Sequence, residues 1–399
     1  MSKKILFLTT LNLATNPRIA KEIELAVLNN YTVEVICFKF KNWSSDFNHS
    51  IIKNYPQVNF YEIDAGKDNL FLWMSSIITE KGFRFLSRFI KLNSIFNSFA
   101  LTRRSNLLIK EINKIKEADI IIGHNPGTIY AVIYASNKLK AKAGFDIEDY
   151  HPGEGNNMHM KKILMRQMKS LLPKMNYISF ASPLIMTEIK KDIYFNENQK
   201  QIEILNYYSK NNYQLDNDIG SNKITLVWFS QNIDFNRGLE QVLPILEKYK
   251  HQIELHLYGN MASHFEKFVL KYNDFIEYHG TIESSKLHKE LIKHDIGLAI
   301  EPGKDLNNIL ALSNKILSYY QSGLYILATD TLAQSSFLEE HPNHGIQFDK
   351  EFKNLEETIL KVINDISIIR EEKKNRFYQS QNFNWETASL LLLKTWEAI

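Results

Sequence analysis

The segment FDIEDYHPGE, residues 145–154, concentrates titratable side chains directly after an apolar run. Those side chains belong to Asp146, Glu148, Asp149, His151 and Glu154. A histidine beside carboxylates has a tunable proton affinity and can hydrogen-bond a substrate hydroxyl. Solvated loop charges would explain one or two of these residues, so the pattern predicts a site role for at least two. The same groups could ligate a metal, but no second His/Asp cluster in the sequence has ligand spacing.

A second chemical signal is a lysine at the start of a predicted helix. In LSNKILSYYQSGLYILATD, residues 312–330, Ser313 is a good N-cap and Lys315 lies in the first turn. The helix dipole disfavours a cation there by about 0.3–1 kcal/mol. A bound phosphate would reverse that preference, because the backbone N–H groups and the ammonium group attract the same anion.

An arginine occupies a similar position in FSQNIDFNRGLEQV, residues 229–242. Ser230 and Gln231 are predicted to leave a strand, and Arg237 to enter the next helix. This arrangement can offer a phosphate backbone N–H groups and a guanidinium group that is always charged. A purely structural strand–loop–helix connection remains an alternative interpretation.

Three weaker signals lie at strand or helix ends. Asn16-Pro17-Arg18 is typical of a helix start, with Asn16 as cap and Pro17 at the first position. Either this is simple helix initiation or Arg18 touches a ligand. His279-Gly280 and Glu301 each end a predicted strand, and each could be only a strand terminus.

Composition excludes several classes of protein. The 399 residues are 44% hydrophobic and 23% charged, an ordinary globular balance with room for two or three domains. The single cysteine, Cys37, excludes a disulfide framework and Cys-rich metal sites. The net charge of +3 and the lack of a basic stripe argue against nucleic acid as a partner. No apolar run reaches the roughly 18–20 residues of a membrane span, and the N-terminal run is too short for a signal peptide.

Other familiar fingerprints are missing too. No G-x-G-x-x-G follows the first strand, which argues against a dinucleotide redox cofactor, and no Walker A sequence occurs. Asp216-Asn217-Asp218 mimics a metal-binding D-x-D, but it lies in a polar segment rather than at a strand end. The sequence therefore predicts no metal ligands and no cofactor.

The elements that must position these residues follow an alternating strand–helix pattern, which is typical of parallel α/β sheets. Predicted strands in the first half are 4–10, 32–38, 58–63, 119–125, 143–149, 177–183 and 202–207. Those in the second half are 223–230, 253–259, 275–280, 296–301, 325–330 and 345–348. The fold class is therefore α/β, with two doubly wound, Rossmann-like lobes facing a cleft in which ligands bind at the carboxyl ends of the strands.

The predicted domains are 1–207, a linker at 208–222, a second domain at 223–382 and a C-terminal helix at 383–399 that could cross back to the first lobe. An insertion at about 69–116 is rich in Phe, Leu and Ile interleaved with Lys and Arg, which predicts one or two long amphipathic helices. These either pack on the first lobe's core or, through 69–105, contact anionic lipid at a membrane surface.

The order of these motifs resembles GT-B glycosyltransferases, in particular the retaining, metal-independent group common in bacterial polysaccharide clusters. The second half matches through SQNIDFNRGLE, LYGN, HGTI, DIGLAIEP, SNKILSYYQSG and YILATDT, and the first through NPR, GHN, FDIEDYHPGE, ASP and ILNY. Single motifs are weak, but their order covers nearly the whole chain.

The resemblance assigns donor-side roles to residues of the second half. The donor diphosphate would meet Ser230, Gln231 and Arg237 on one side and Ser313, Asn314 and Lys315 on the other. His279 and Gly280 would lie near the nucleotide base, and Glu301 near the donor sugar. Where members of the group often carry a ribose-binding glutamate, this sequence has Ser318, so ribose recognition must differ.

The first half would supply acceptor-side and catalytic groups. His151, Asp149 and Glu154 would face the sugar and acceptor, with Asn16, Arg18 and His124 lining the same cleft. The resemblance implies sugar transfer from a nucleotide sugar to a hydroxyl of a glycan or lipid-linked acceptor, without metal, in cell-surface polysaccharide synthesis. It implies a cytoplasmic protein, peripheral at the inner face of the membrane if 69–105 binds lipid. A nucleotide-sugar epimerase of similar fold and a non-catalytic nucleotide-sugar-binding protein remain alternatives.

Overall fold

The computed structural model describes residues 2–42, 44–215 and 222–399. The chain forms two compact units. Unit 1 runs to Leu205 and includes Ser389–Ile399, and unit 2 comprises Asn206–Ala388. The Asp216-Asn217-Asp218 motif lies outside the described residues.

Unit 1 is built on a parallel seven-stranded sheet with the order β3-β2-β1-β4-β5-β6-β7. Its strands are β1 Lys4–Thr9, β2 Thr32–Lys39, β3 Asn59–Asp64, β4 Ile120–His124, β5 Lys142–Ile147, β6 Tyr177–Phe180 and β7 Lys200–Glu203. The central strands are apolar on both faces because helices cover both sides of a parallel sheet. Ile5, for example, pairs with Val33 on one side and Ile120 on the other, and all three are buried.

The helices of unit 1 follow the strands as the periodicity predicts. They are α1 Pro17–Leu28, α2 Ser45–Lys53, α3 Leu70–Leu86, α4 Ser94–Leu101, α5 Arg103–Ile112, α6 Ile129–Leu139, α7 Met158–Leu171 and α8 Pro183–Asp192. The Asn16 side chain caps α1 by accepting a hydrogen bond from the Ile19 N–H, as predicted. The insertion at 69–116 forms three helices, α3 to α5, rather than one or two.

Unit 2 repeats the design with a parallel six-stranded sheet in the order β10-β9-β8-β11-β12-β13. Its strands are β8 Ile224–Ile233, β9 Ile253–Met261, β10 Ile276–Gly280, β11 Ile296–Ala299, β12 Tyr325–Thr329 and β13 Gly345–Phe348. A core of buried aliphatic and aromatic side chains, including Trp228, Leu243 and Leu298, fixes the helices onto the sheet.

The helices of unit 2 and the C-terminal helix complete the chain. They are α9 Leu239–Leu246, α10 Ser263–Val269, α11 Ser284–Leu291, α12 Leu306–Leu310, α13 Asn314–Gln321, α14 Leu332–Glu340, α15 Leu355–Asn364, α16 Ile366–Glu371, α17 Lys373–Ser380, α18 Trp385–Ala388 and α19 Leu390–Ala398. In unit 1, Trp396 of α19 is fully buried, and its Nε1 donates to the Tyr177 hydroxyl at 2.9 Å.

Each sheet has one point where the strand order reverses. In unit 1 the chain runs outward from β1 to β3 and returns to β4 on the other side of β1. In unit 2 it runs from β8 to β10 and returns to β11 beside β8. Ligands of open α/β sheets bind at the carboxyl ends of strands at such reversal points. The loops after β1, β4, β8 and β11 are therefore the places to look for a site.

Two sequence-based boundaries differ from the structure. Residues 208–215, predicted as linker, belong to unit 2, where Tyr213 packs against Ile292 and Phe377. The polar composition of the segment concealed these aromatic contacts. Ser230 and Gln231, predicted to leave the strand, lie within β8, where its pairing with β9 is irregular between Phe229 and Asn232.

Candidate functional site

Unit 1 contains a cavity of about 340 Å³ at its strand-reversal point. Thr10, which follows β1, and Gly127, which follows β4, contribute to its wall. The remaining lining residues are Leu101, Thr102, Pro126, His151, Pro152, Glu154, Asn157, Met160, Lys161 and Leu164. Gly127 is required there, because a Cβ would lie 2.6 Å from Thr102 and 2.7 Å from Thr10. The cavity thus brings together the insertion helices and part of the FDIEDYHPGE segment.

His151 and Glu154 form a hydrogen-bonded pair in this cavity wall. The His151 Nδ1 lies 2.7 Å from the Glu154 Oε1. Burial opposes protonation, but the hydrogen bond and charge of Glu154 outweigh it and raise the pKa of His151. Asp149 adds to that electrostatic effect. The pair can hydrogen-bond a hydroxyl and share a proton with it, as the sequence pattern suggested.

Arg18, predicted to touch a ligand, is buried against Asp146 in unit 1. Its Nη2 donates to the Asp146 Oδ1 at 2.8 Å and its Nε lies 2.6 Å from the Asp146 Oδ2, so the two groups form a buried ion pair. Its Nη1 donates to the Ile204 carbonyl at 2.5 Å, and the Ser179 hydroxyl also donates to Asp146. The guanidinium therefore joins α1 to β5 and the end of β7, and a ligand-binding role for it stays a prediction.

His124 ends β4 and is also fully buried, between two carboxylates. Its Nδ1 lies 2.8 Å from Glu148 and its Nε2 3.3 Å from Glu22. Burial alone would lower the pKa of His124, but the carboxylates, Glu22 foremost, raise it to about 10. Asn16, also buried, favours the ionised form of Glu148 and so helps to lower its pKa. His124 and Asn16, predicted to line the cleft, thus both act on Glu148 of the FDIEDYHPGE segment. Their contact with a ligand stays a prediction.

Unit 2 places Lys315 opposite Glu301 at its own strand-reversal point. The Lys315 Nζ lies 2.5 Å from the Glu301 Oε1, and the Asn308 amide donates to the other carboxylate oxygen at 2.8 Å. Lys315 is 8% exposed and also approaches the Trp228 ring to 5.8 Å. Burial opposes ionisation, but the charge of Lys315 lowers the pKa of Glu301, and Arg237 adds to the effect. Lys315, a cation in the first turn of a helix, is thus paired with the carboxylate of Glu301.

Two helices, α9 and α13, begin near this ion pair. Ser313 caps α13 by accepting from the Ile316 N–H, so α13 begins as predicted. Arg237 precedes Gly238, whose φ of 90° starts α9 and whose close approach to Ile300 leaves no room for a Cβ. Asn314 accepts a hydrogen bond from Asn206 at 2.8 Å, which orders the first turn of α13.

The residues predicted for the base and ribose lie apart in unit 2. His279 and Gly280 end β10, and Gly280 has a φ of 73°. Ser318 is fully buried in α13, beside Tyr208 and Tyr213, rather than at a surface. The structure therefore gives Ser318 a packing environment, and its ribose role stays an untested prediction.

Sequence reasoning missed several residues that build these sites. Asn308, which holds Glu301, lies in the unusually long segment after β11, where Asp305 caps the short helix α12. Glu22 lies on the buried face of α1 and gave no signal beyond helical spacing. The positions of Thr10 in the cavity wall and of Trp228 beside Lys315 can be inferred only when the strand order is known.

Comparison with known proteins identifies the fold. No family model and no curated protein sequence matches the chain. Solved structures resemble it over nearly all of both chains, and three of them illustrate the similarity. HepE of Anabaena in complex with UDP and glucose is 13% identical with a TM-score of 0.68, covering 100% of each chain. Sucrose-phosphate synthase from Thermosynechococcus elongatus is 12% identical with a TM-score of 0.70, covering 99% of this chain and 98% of that one.

The third is S. aureus TarM in complex with Fondaparinux, alpha-GlcNAc-glycerol and UDP. It is 12% identical with a TM-score of 0.68, and 99% of each chain is covered. These neighbours are GT-B glycosyltransferases. The similarity confirms that the chain has the GT-B fold, with two Rossmann-like parallel-sheet units.

Proposed function

We propose that the protein transfers a sugar from a nucleoside diphosphate sugar to a hydroxyl group of an acceptor. The observation that carries the proposal is the cationic cluster of unit 2. Lys315 lies at the N-terminus of α13, its charge is positioned by Glu301, and Arg237 acts on the same carboxylate. HepE and TarM, which share the fold, have each been solved with UDP.

In the proposed reaction the bond between the anomeric carbon and the leaving phosphate oxygen breaks as the bond to the acceptor oxygen forms. Lys315, Arg237 and the backbone N–H groups at the start of α13 stabilise the negative charge that develops on the diphosphate. These cations take the role that a divalent metal has in other transferases, so transfer requires no metal. Attack occurs on the same face, with retention, and the leaving phosphate accepts the acceptor's proton.

Unit 1 supplies the acceptor side in this proposal. The cavity at the ends of β1 and β4 has a polar wall at His151 and Glu154 and an apolar wall at Leu101 and Leu164. His151 orients a sugar hydroxyl rather than acting as an obligate base. A mixed wall of this kind suits a glycan or a lipid-linked glycan, and we place the reaction in cell-surface polysaccharide synthesis.

We propose that helix α3 and the turn after it contact an anionic membrane surface. Leu70, Phe71, Met74, Ile78, Phe85 and Phe89 recur at helical spacing and are exposed, Phe71 by 85% and Phe89 by 71%. Basic side chains at Lys81, Arg88 and Lys91 flank them, whereas Glu80 is paired with Arg84 and Asp68 with Lys41. An apolar stripe flanked by basic side chains that form no ion pair within the described part of the chain is complementary to anionic lipid. Among the described residues, no helix is long and apolar enough to cross a membrane.

The function is tested by a panel of UDP, GDP, ADP and their sugar conjugates. Thermal shift identifies the nucleotide, and the protein is then incubated with the matching sugar nucleotide, with and without acceptor glycans. Release of the nucleoside diphosphate together with a glycosylated acceptor supports the proposal. An isomerised donor formed without acceptor would indicate an epimerase instead. Tight binding with no donor consumption across the acceptor panel would indicate a binding protein.

A further inference from the structure

The edge of the unit 2 sheet carries a cluster of imidazole and carboxylate groups, those of His256, Glu277 and His279. The proposed transfer gives no role to His256 or Glu277. Strands β9 and β10 are parallel neighbours, and His256 of β9 is paired with Glu277 of β10. His279 lies two residues beyond Glu277, and its ring stacks on that of His256 with 5.2 Å between the ring centroids. Leu255 and Leu257 point to the opposite face and are buried in the core of unit 2.

The donor atoms of this cluster have the spacing of metal ligands. His256 Nδ1 lies 2.9 Å from His279 Nε2. The Glu277 carboxylate oxygens lie 3.6 Å from His256 Nδ1 and 3.7 Å from His279 Nε2. Tetrahedral zinc binds His nitrogen and carboxylate oxygen at about 2.0–2.2 Å, which separates neighbouring ligands by about 3.4 Å. The three observed distances bracket that value.

The buried side of the cluster contains a third imidazole, that of His294. His294, which is 5% exposed, packs its ring 4.4 Å from that of His256. Neither ring nitrogen of His294 has a hydrogen-bond partner among the described residues. A buried imidazole without a partner beside two others is unexpected unless a polar ligand shares the site.

We propose that His256, Glu277 and His279 bind one divalent transition metal ion of the zinc type at the edge of the unit 2 sheet. Two imidazoles and one carboxylate favour such an ion over Mg²⁺ or Ca²⁺, which prefer oxygen ligands. The Glu277 side chain is 56% exposed, which leaves an entry path and an open coordination position. The ion would fasten β10 to β9 where their pairing is irregular, between Tyr278 and Gly280. The site would be distinct from the Lys315 cluster.

The test is calorimetric titration of the chelator-treated, full-length protein with Zn²⁺ alone. We expect one ion per chain. His256→Ala, Glu277→Gln and His279→Ala should each weaken binding at least about tenfold, since loss of even a supporting group costs 10–100-fold. His264→Ala, an exposed histidine of unit 2 paired with Asp234, should bind like wild type, and Mg²⁺ should not compete.

The outcomes distinguish this site from others in the chain. Asp149, His151 and Glu154 of unit 1 also lie close enough together to hold an ion, so His151→Ala is included as a second control. Loss of Zn²⁺ binding in His151→Ala would overturn the proposal, and so would unchanged binding in all three edge variants. A wild-type protein that binds no Zn²⁺ would overturn it as well. Glu277→Gln changes an exposed side chain and should fold normally by circular dichroism. Unchanged Zn²⁺ binding in this variant would therefore be sufficient to overturn the proposal, whatever the folding of the two histidine variants. None of these readouts depends on sugar transfer.

Discussion

At the residue scale, the position of Lys315 in a helix N-terminus has two explanations, a bound anion or an anionic side chain of the protein. Its place in the first turn of α13 suggested a bound anion from sequence alone. The structure supplies Glu301 as that anion, at 2.5 Å. The helix position therefore does not by itself require a ligand. Arg237 beside the pair leaves the cluster with a net positive charge, and the proposed diphosphate site depends on that charge.

Replacing Glu301 by Gln should destabilise unit 2, because Lys315 would then be a buried cation without its partner. Breaking a buried pair in this way costs about 3–5 kcal/mol. The pKa of Glu301 is lowered in the folded state. Its contribution is therefore complete above its ordinary pKa of 4.5 and is lost as pH falls through the lower folded value. Urea unfolding of wild type and Glu301→Gln should differ at pH 7 and converge in acid; equal stability at pH 7 would contradict the pairing.

His124 should show the opposite pH dependence in unit 1. Its pKa is raised from 6.5 to about 10, so its stabilising contribution is complete below pH 6.5 and is lost as pH rises toward 10. His124→Gln leaves the carboxylates of Glu22 and Glu148 without the cation between them and should cost about 3–5 kcal/mol at pH 6. Urea unfolding at pH 6 and pH 9.5 measures the difference. The exposed His264→Gln serves as control, and a gap that widens with pH would refute the buried imidazolium.

At the scale of elements, sequence periodicity located the strands well and the ends of segments less well. β1 was predicted at 4–10 and is Lys4–Thr9, and β13 matches its predicted 345–348. β1 is a short apolar run buried on both faces, which a sequence displays directly. The segment 208–215 was misassigned because its polar residues hide Tyr208 and Tyr213, and the burial of those rings depends on distant partners.

The exposed apolar side chains of helix α3 and the turn after it allow a test of the proposed contact with anionic lipid. Substituting Phe71, Ile78 and Phe89 by Ser removes exposed apolar area without touching the core, since all three are exposed. The triple variant should lose most of its co-sedimentation with vesicles containing anionic phosphatidylglycerol and keep its unfolding midpoint. Leu28→Ser, an equally exposed position on α1, is the matched control. Undiminished sedimentation of the triple variant would exclude α3 as the lipid contact.

At the scale of the whole molecule, the succession of two parallel sheets was predictable and the sites were predictable only in part. The alternation of strands and helices predicted two Rossmann-like units, which the structural similarity to GT-B enzymes confirms. The cluster of His256, Glu277 and His279 could not be predicted from the sequence, because His256 and Glu277 are brought together by strand pairing and not by sequence spacing. The same holds for the pairing of Glu22 with His124 across 102 positions.

Metal removal tests the chemistry of the whole enzyme. Because Lys315 and Arg237 are proposed to replace a divalent ion at the diphosphate, treatment with EDTA should leave kcat within about twofold of its original value. Initial rates at saturating donor, before and after chelation, provide the measurement. Activity that disappears with EDTA and returns with Mn²⁺, in the Glu277→Gln variant as in wild type, would show that the leaving diphosphate is stabilised by metal.

The most direct test of the central claim is the rate of sugar transfer in Arg237→Ala and Lys315→Ala, with the donor and acceptor that the panel identifies. Each variant should lower kcat about 100-fold or more, the usual effect of removing one electrostatic stabiliser of a transition state. Lys353→Ala, which removes an exposed lysine of unit 2 paired with Glu351, should be unaffected. Near-normal turnover in both Arg237→Ala and Lys315→Ala, with folding intact, would contradict the assignment of the diphosphate site.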